Sequence, residues 1–162
     1  IIAAHPPAFR RYLLLLLDGV TDPQNLGALI RTAHCFGANG VVIPEHRSAS
    51  VNAAVVKASA GAVLYTPVAR VMNLTRTLSD LKEKGFWIYG ADADAGQNMD
   101  NLSYHGNVGL VMGSEGEGLR SIIRKRCDFL LSIPMKGKID SLNVSVAAGV
   151  ILNDINRKWA NG

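Results

Sequence analysis

Three short stretches of this chain place polar residues and glycines in an order that could do chemistry. Gly113-Ser114-Glu115-Gly116-Glu117-Gly118 sets glycines around two carboxylates, directly after the apolar run Val108 to Met112. Glycines at a strand end leave backbone N–H and C=O groups open to a flat ligand, and they equally suit a tight turn. The second stretch, Ile133 to Val150, reads IPMKGKIDSLNVSVAAGV. Pro134 removes a ladder donor and ends the apolar run before it. Gly137 permits a turn, and Ser141 and Asn143 stand where a helix N-cap belongs. The helix then opens on small side chains, so another element must approach its backbone. The third stretch, Asp18 to Arg31, reads DGVTDPQNLGALIR and places Asn25 and Arg31 on one helix.

Other chemistries lack their residues. The spacing G-x-x-G-x-G reverses the dinucleotide fingerprint, and no acidic partner follows at the expected distance. No Gly-Lys-Ser/Thr follows either, so this is not a phosphate-cradling Walker loop. Asp92, Asp94 and Asp100 resemble the start of a calcium loop, but Gly96 falls at the wrong position and Ser103 replaces the closing Glu. They read as a polar loop. His5, His34, His46 and His105 share no ligand spacing, and no metal site is expected. His34-Cys35 has no base and orienting group in view, which argues against nucleophilic catalysis.

The elements that must position these stretches alternate. Tyr12 to Leu17, Gly40 to Ile43, Leu64 to Val68, Phe86 to Gly90, Val108 to Met112 and Phe129 to Ile133 read as six short, buried strands. A helix opens at Asp22-Pro23, keeps Leu26, Leu29, Ile30, Ala33 and Phe36 at helical spacing, and closes at Gly37. Ser50 to Ala60 and an amphipathic segment through Leu74, Leu78 and Leu81 are further helices. Leu119 to Arg126 reads as a short basic helix and Val144 to Trp159 as the last one. Alternating apolar strands and helices mean an α/β fold: a mostly parallel sheet with helices on both faces. In such sheets ligands bind beyond the carboxyl ends of the strands. All three chemical stretches start there.

At 162 residues the chain is one domain with room for a core, and 48% hydrophobic against 19% charged residues excludes a disordered segment. The longest apolar run, Leu13 to Leu17, is too short to span a bilayer, and no signal-peptide pattern appears. Two cysteines, Cys35 and Cys127, read as free thiols of a cytoplasmic protein. The net charge of +4 is compatible with a nucleic-acid partner. Arg120, Arg124, Lys125 and Arg126 form a basic run that, with Arg47, Lys136 and Lys138, either contacts phosphates or forms a solvated face. Residues 1–11, with Pro6-Pro7 and Arg10-Arg11, read as the remnant of a linker, and residues 12–162 as the folded domain.

The three stretches, in order, resemble the three motifs of the SpoU family of RNA ribose 2′-O-methyltransferases, part of the SPOUT superfamily. The first block matches an Asn before a Gly with an Arg six residues later, the second G-x-E-G-x-G, and the third I-P-M-x-G-x-x-x-S-L-N-V-S-V-A. The resemblance covers about residues 12 to 157, and the wording of the last two blocks is most similar to bacterial 23S rRNA guanosine 2′-O-methyltransferases. It implies a deep trefoil knot in the C-terminal third, a homodimer, and an RNA-binding domain ahead of the catalytic one that this chain lacks. It also implies S-adenosyl-L-methionine as cofactor, held by Gly113, Gly116, Ile133, Met135 and Leu142, and a catalytic set of Asn25, Arg31, Glu115, Ser141 and Asn143. Glu115 would hold Arg31. Arg47, Arg120, Arg124, Lys125 and Lys136 would contact RNA. No metal is required, because the leaving sulfide is neutral. The alternatives are a tRNA ribose methyltransferase and a non-catalytic RNA-binding or ribosome-assembly module of the same fold.

Overall fold

The leucines of the first strand, β1 (Leu13–Asp18), divide between two cores. Leu13, Leu15 and Leu17 face one, and Leu14 and Leu16 face the other. Side chains of a strand alternate in direction, so a run of leucines has no wet face and must be covered on both sides. The computed structural model describes residues 11–162. It contains a six-stranded sheet, β1, β2 (Gly40–Pro44), β3 (Val68–Val71), β4 (Phe86–Ala91), β5 (Asn107–Gly113) and β6 (Phe129–Leu131), in the order β3-β2-β1-β5-β4-β6. Every pairing in it is parallel.

Helices cover both faces, as expected. On one side α1 (Pro23–Cys35), α2 (Ala53–Ala58) and α5 (Val144–Asn161) contribute Leu26, Leu29, Ile30, Val55, Ala148, Ile151, Leu152 and Ile155. On the other, α3 (Leu74–Glu83) and α4 (Ser121–Arg124) contribute Leu74, Leu78, Leu81 and Ile123. Each buried leucine, isoleucine or valine among these stabilises the fold by about 1.5–3 kcal/mol before entropy is counted. The small residues that open α5 meet α1: a Cβ at Gly149 would lie 3.4 Å from Thr32 Cγ2. Asn156 Nδ2 donates to Phe36 O at 2.7 Å and ties the same two helices. Gly27 does the same for α2, since a Cβ there would press on Ser59 N and Val55 O at 2.9 Å.

The far end of α5 is anchored by a buried polar group. Asp154, 3% exposed, receives the Tyr104 hydroxyl at 3.2 Å and faces Lys158 Nζ at 2.8 Å and Arg157 Nη2 at 2.9 Å. Lys158 also donates to Met99 O, and Trp159 Nε1 to Tyr104 O.

Three expectations need correction. The third strand begins at Val68, not Leu64, because Ala62–Leu64 winds into a 3-10 turn after Gly61, whose φ is +81°. Pro67 has no N–H to give a ladder and instead accepts from Val41 N, so pairing with β2 starts one residue later. The second helix starts at Ala53, since Asn52 accepts from Val55 N and caps it there. The basic helix shrinks to Ser121–Arg124. The apolar residues of α1 and α5 are used within the chain. Leu29, Ile30, Ile151 and Ile155 are fully buried within this chain, leaving Val146 and Val150 exposed. Of the expected linker, residues 1–10 lie outside the described residues, and Arg11 sits over the Trp159 ring at 5.7 Å.

Candidate active site

Asn143 caps α5, with its Oδ1 accepting from Ser145 N at 2.9 Å. That bond orients the side-chain amide and points its two N–H groups outward. One donates to Asn25 Oδ1 at 3.1 Å, the other to Glu115 Oε1 at 2.7 Å. Glu115 also accepts from Val144 N at 3.3 Å, a carboxylate at a helix N-terminus where unpaired N–H groups favour negative charge. Asn25 is itself placed by Asp22, whose carboxylate caps α1 through Gln24 N and Asn25 N. Residues from the loops after β1, β5 and β6 thus meet beyond the carboxyl ends of the strands.

The glycine loop folds back on itself beside this cluster. A Cβ at Gly113 would overlap the backbone of Gly118 and Leu119. Gly116 and Gly118 hold φ of +85° and +66°, and Gly118 N donates to Ser114 O at 3.0 Å. On the loop after β6, Ile133 packs against the main core while Met135 and Leu142 are each 39% exposed. A folded-back glycine backbone at a strand end suits the flat body of S-adenosylmethionine, and Gly113, Gly116, Ile133, Met135 and Leu142 are the residues expected to hold it. Among the described residues no group of His, Cys, Asp and Glu is placed to hold a metal ion.

Other expected site residues stand apart. Arg31 is exposed and makes no ion pair or hydrogen bond among the described residues. Six residues at about 100° each turn it a third of a revolution away from Asn25 around α1. The expected Glu115–Arg31 contact is therefore replaced by Glu115–Asn143. Ser141 is exposed and outside the cluster's hydrogen bonds. Of the expected phosphate contacts, Arg120 is engaged by Asp18, with Nη2 at 2.6 Å and Nε at 2.7 Å from Oδ1, and Arg124 by Asp92 at 2.7 Å. Arg47, Lys125 and Lys136 are exposed. Arg47 holds a φ of +61°, a conformation that costs a non-glycine residue energy. Asp18 was missed by the sequence reading, where it served only as a strand end. Its signal was a carboxylate closing a run of leucines. Burial pushes the Cys127 thiol up to about 12, which leaves it inert.

Comparison with known proteins places the chain in a family. A family model described as the SpoU rRNA Methylase family matches residues 12–153. The chain is 52% identical over 148 residues to the 23S rRNA (guanosine-2'-O-)-methyltransferase RlmB of Xanthomonas campestris pv. campestris, covering 91% of this chain and 59% of that protein. It spans as little as 38% of another curated relative, from Synechocystis. Among solved structures, the SpoU methyltransferase AviRb from Streptomyces viridochromogenes in complex with the cofactor AdoMet superposes with a TM-score of 0.87 at 28% identity, over 96% of this chain and 64% of that one. A TrmH/SpoU tRNA modifying enzyme from A. aeolicus gives 0.84 at 28%, over 94% and 77%.

Proposed function

Because the chain belongs to the SpoU rRNA methylase family, we propose that it methylates a ribose 2′-hydroxyl of RNA with S-adenosylmethionine, at a guanosine of 23S rRNA. The observation that carries this reading is the meeting of Asn25, Glu115 and Asn143, drawn from three distant stretches, beside the folded-back glycine loop. A non-catalytic binding module has no need of that set together. The relative named for guanosine methylation of 23S rRNA supports the substrate.

S-adenosylmethionine, when bound, would supply a methyl group on a sulfonium whose sulfide leaves neutral. The ribose oxygen would gain that carbon and lose its proton to water, with partial negative charge on the oxygen on the way. A cation aimed at that oxygen acts where charge appears only in the transition state. Arg31 fills this role as an electrostatic stabiliser. An arginine keeps its proton at any physiological pH, which makes it a poor base. Arg31, exposed and outside the hydrogen bonds of its own Asn143 cluster, is open to meet the ribose of a bound RNA. Asn143 and Glu115 hold the open end of α5 against the glycine loop, and Ser141 is an exposed hydroxyl on the loop leading into that helix. Arg47, Lys125 and Lys136 are the exposed cations for phosphates.

The same reading carries a homodimer through α1 and α5, where Val146 and Val150 are exposed, a knotted C-terminal third, and a cytoplasmic location. Light scattering at micromolar protein concentration should give twice the chain mass, and a single-chain mass refutes the dimer. Transfer of tritiated methyl from S-adenosylmethionine to unmodified 23S rRNA and to tRNA, followed by site mapping, tests the activity. Label in 23S rRNA supports the proposal, label in tRNA alone moves the substrate to the tRNA class, and no label in either overturns it.

A further inference from the structure

Asp18 is the last residue of β1 and lies in register with Gly113, the last residue of β5. It is 2% exposed. A carboxylate buried at that depth costs free energy unless donors surround it, and an apolar residue such as Leu17 beside it would pack without that cost. Among the described residues the donors come from one, Arg120. Oδ2 accepts the Arg120 backbone N–H at 3.0 Å, and Oδ1 accepts Nε at 2.7 Å and faces Nη2 at 2.6 Å. Arg120 follows the glycine loop directly. One carboxylate beneath the point where the loop leaves β5 therefore grips the point where the loop returns. The neighbouring turn lies close to the loop: a Cβ at Gly19 would lie 3.7 Å from Ser114 Cβ. Between these anchors residues 115–118 are exposed, and Glu115 reaches away to Asn143.

We propose that Asp18 is a positioning residue for the cofactor loop: acting through Arg120, it holds residues 113–119 in the shape that receives S-adenosylmethionine. The inference rests on the methyltransferase reading above, and it removes Arg120 from the phosphate contacts. The fork of a guanidinium on a buried carboxylate fixes distance and direction together, which a point charge does not. A loop released from that fork loses the geometry that cofactor binding needs, while the exposed cations that meet RNA are untouched.

The test compares wild type with Arg120→Ala, Arg120→Lys and Asp18→Asn, below each variant's thermal midpoint. It measures KM for S-adenosylmethionine, kcat, RNA KM, the salt dependence of RNA affinity, and S-adenosylhomocysteine affinity by calorimetry. Arg120→Ala should raise cofactor KM about ten- to hundredfold, with kcat at saturating cofactor changed less and the RNA salt slope unchanged. Arg120→Lys should recover part of the loss, and Asp18→Asn should follow Arg120→Ala. Should Asp18→Asn not fold, the two Arg120 variants decide, since Arg120 is partly exposed. An unchanged cofactor KM in Arg120→Ala, or a salt slope lowered by about one, overturns the proposal and returns Arg120 to phosphate binding. Wild type that binds no cofactor overturns the methyltransferase reading with it, whereas wild-type binding with unaltered variants overturns the clamp alone.

Discussion

The two ends of α5 carry polar clusters of opposite construction. At the N-terminus, Asn143 is exposed and joins Asn25 and Glu115 through side-chain hydrogen bonds open to solvent. About two turns before the helix's C-terminus, Asp154 is buried under Tyr104, Lys158 and Arg157. A hydrogen bond made in water's presence adds little to stability, but it fixes donors where a ligand can meet them. A buried charged group is costly to strand, so its partners lock one packing arrangement. One helix thus uses polar chemistry twice, to orient a site at one end and to hold the fold at the other.

The sharpest way to break this contrast is a change at the open side that stops turnover and leaves stability alone. Arg31→Ala should lower methyl transfer about 10²–10³-fold, with cofactor affinity and thermal midpoint near wild type, because Arg31 is exposed and unpaired among the described residues. Turnover above about a tenth of wild type would remove Arg31 from the chemistry.

Asp154→Asn should show the reverse signature. Stability should fall by about 1–3 kcal/mol in urea unfolding, with kcat at room temperature retained. Burial alone would raise the Asp154 pKa, but the hydrogen bonds from Lys158, Arg157 and Tyr104 prevail and hold it below the usual carboxylate value. A depressed folded pKa means that the stabilisation is complete above the unfolded value of about 3.9. It is lost as pH falls through the folded value. Wild type should lose that increment on acid titration and Asp154→Asn should not, and equal acid slopes would refute the anchor.

Gly116→Val sharpens the open end further. A β-branched residue at a φ of +85° is strained by about 1–3 kcal/mol, so cofactor affinity should fall roughly tenfold or more while the unfolding midpoint moves less. Unchanged calorimetric affinity would free the loop from cofactor binding. The smallest expected effect is that of Lys125→Ala, a surface cation: a modest loss of RNA affinity and a salt slope lower by about one. A salt slope equal to wild type would place Lys125 outside the RNA contact.

Much of the architecture was legible because it follows from local rules. Leu13 to Leu17 could only be a strand covered on both faces, and the Asp22-Pro23 start of α1 appears as Asp22 capping Gln24 and Asn25. Leu64 to Val68 failed because apolar content says nothing about which backbone groups find ladder partners; Gly61 and Pro67 decided that. In the basic run at Arg120 to Arg126, the partners of Arg120 and Arg124 were not legible for a different reason. Charge in a sequence does not reveal its counter-charge, and Asp18 and Asp92 lie far away along the chain.

The site divides the same way. The residue types and their order determined, without any coordinates, that Asn25, the glycine loop and Asn143 belong after strand ends, since cap and turn chemistry acts over a few residues. Tertiary structure alone decided that Glu115 bonds Asn143 and not Arg31, that Arg120 faces a buried carboxylate, and that Gly113 lies against Gly118. Those contacts depend on the order in which parallel strands lie side by side, and strand order is set by the packing of whole faces, which no local spacing encodes.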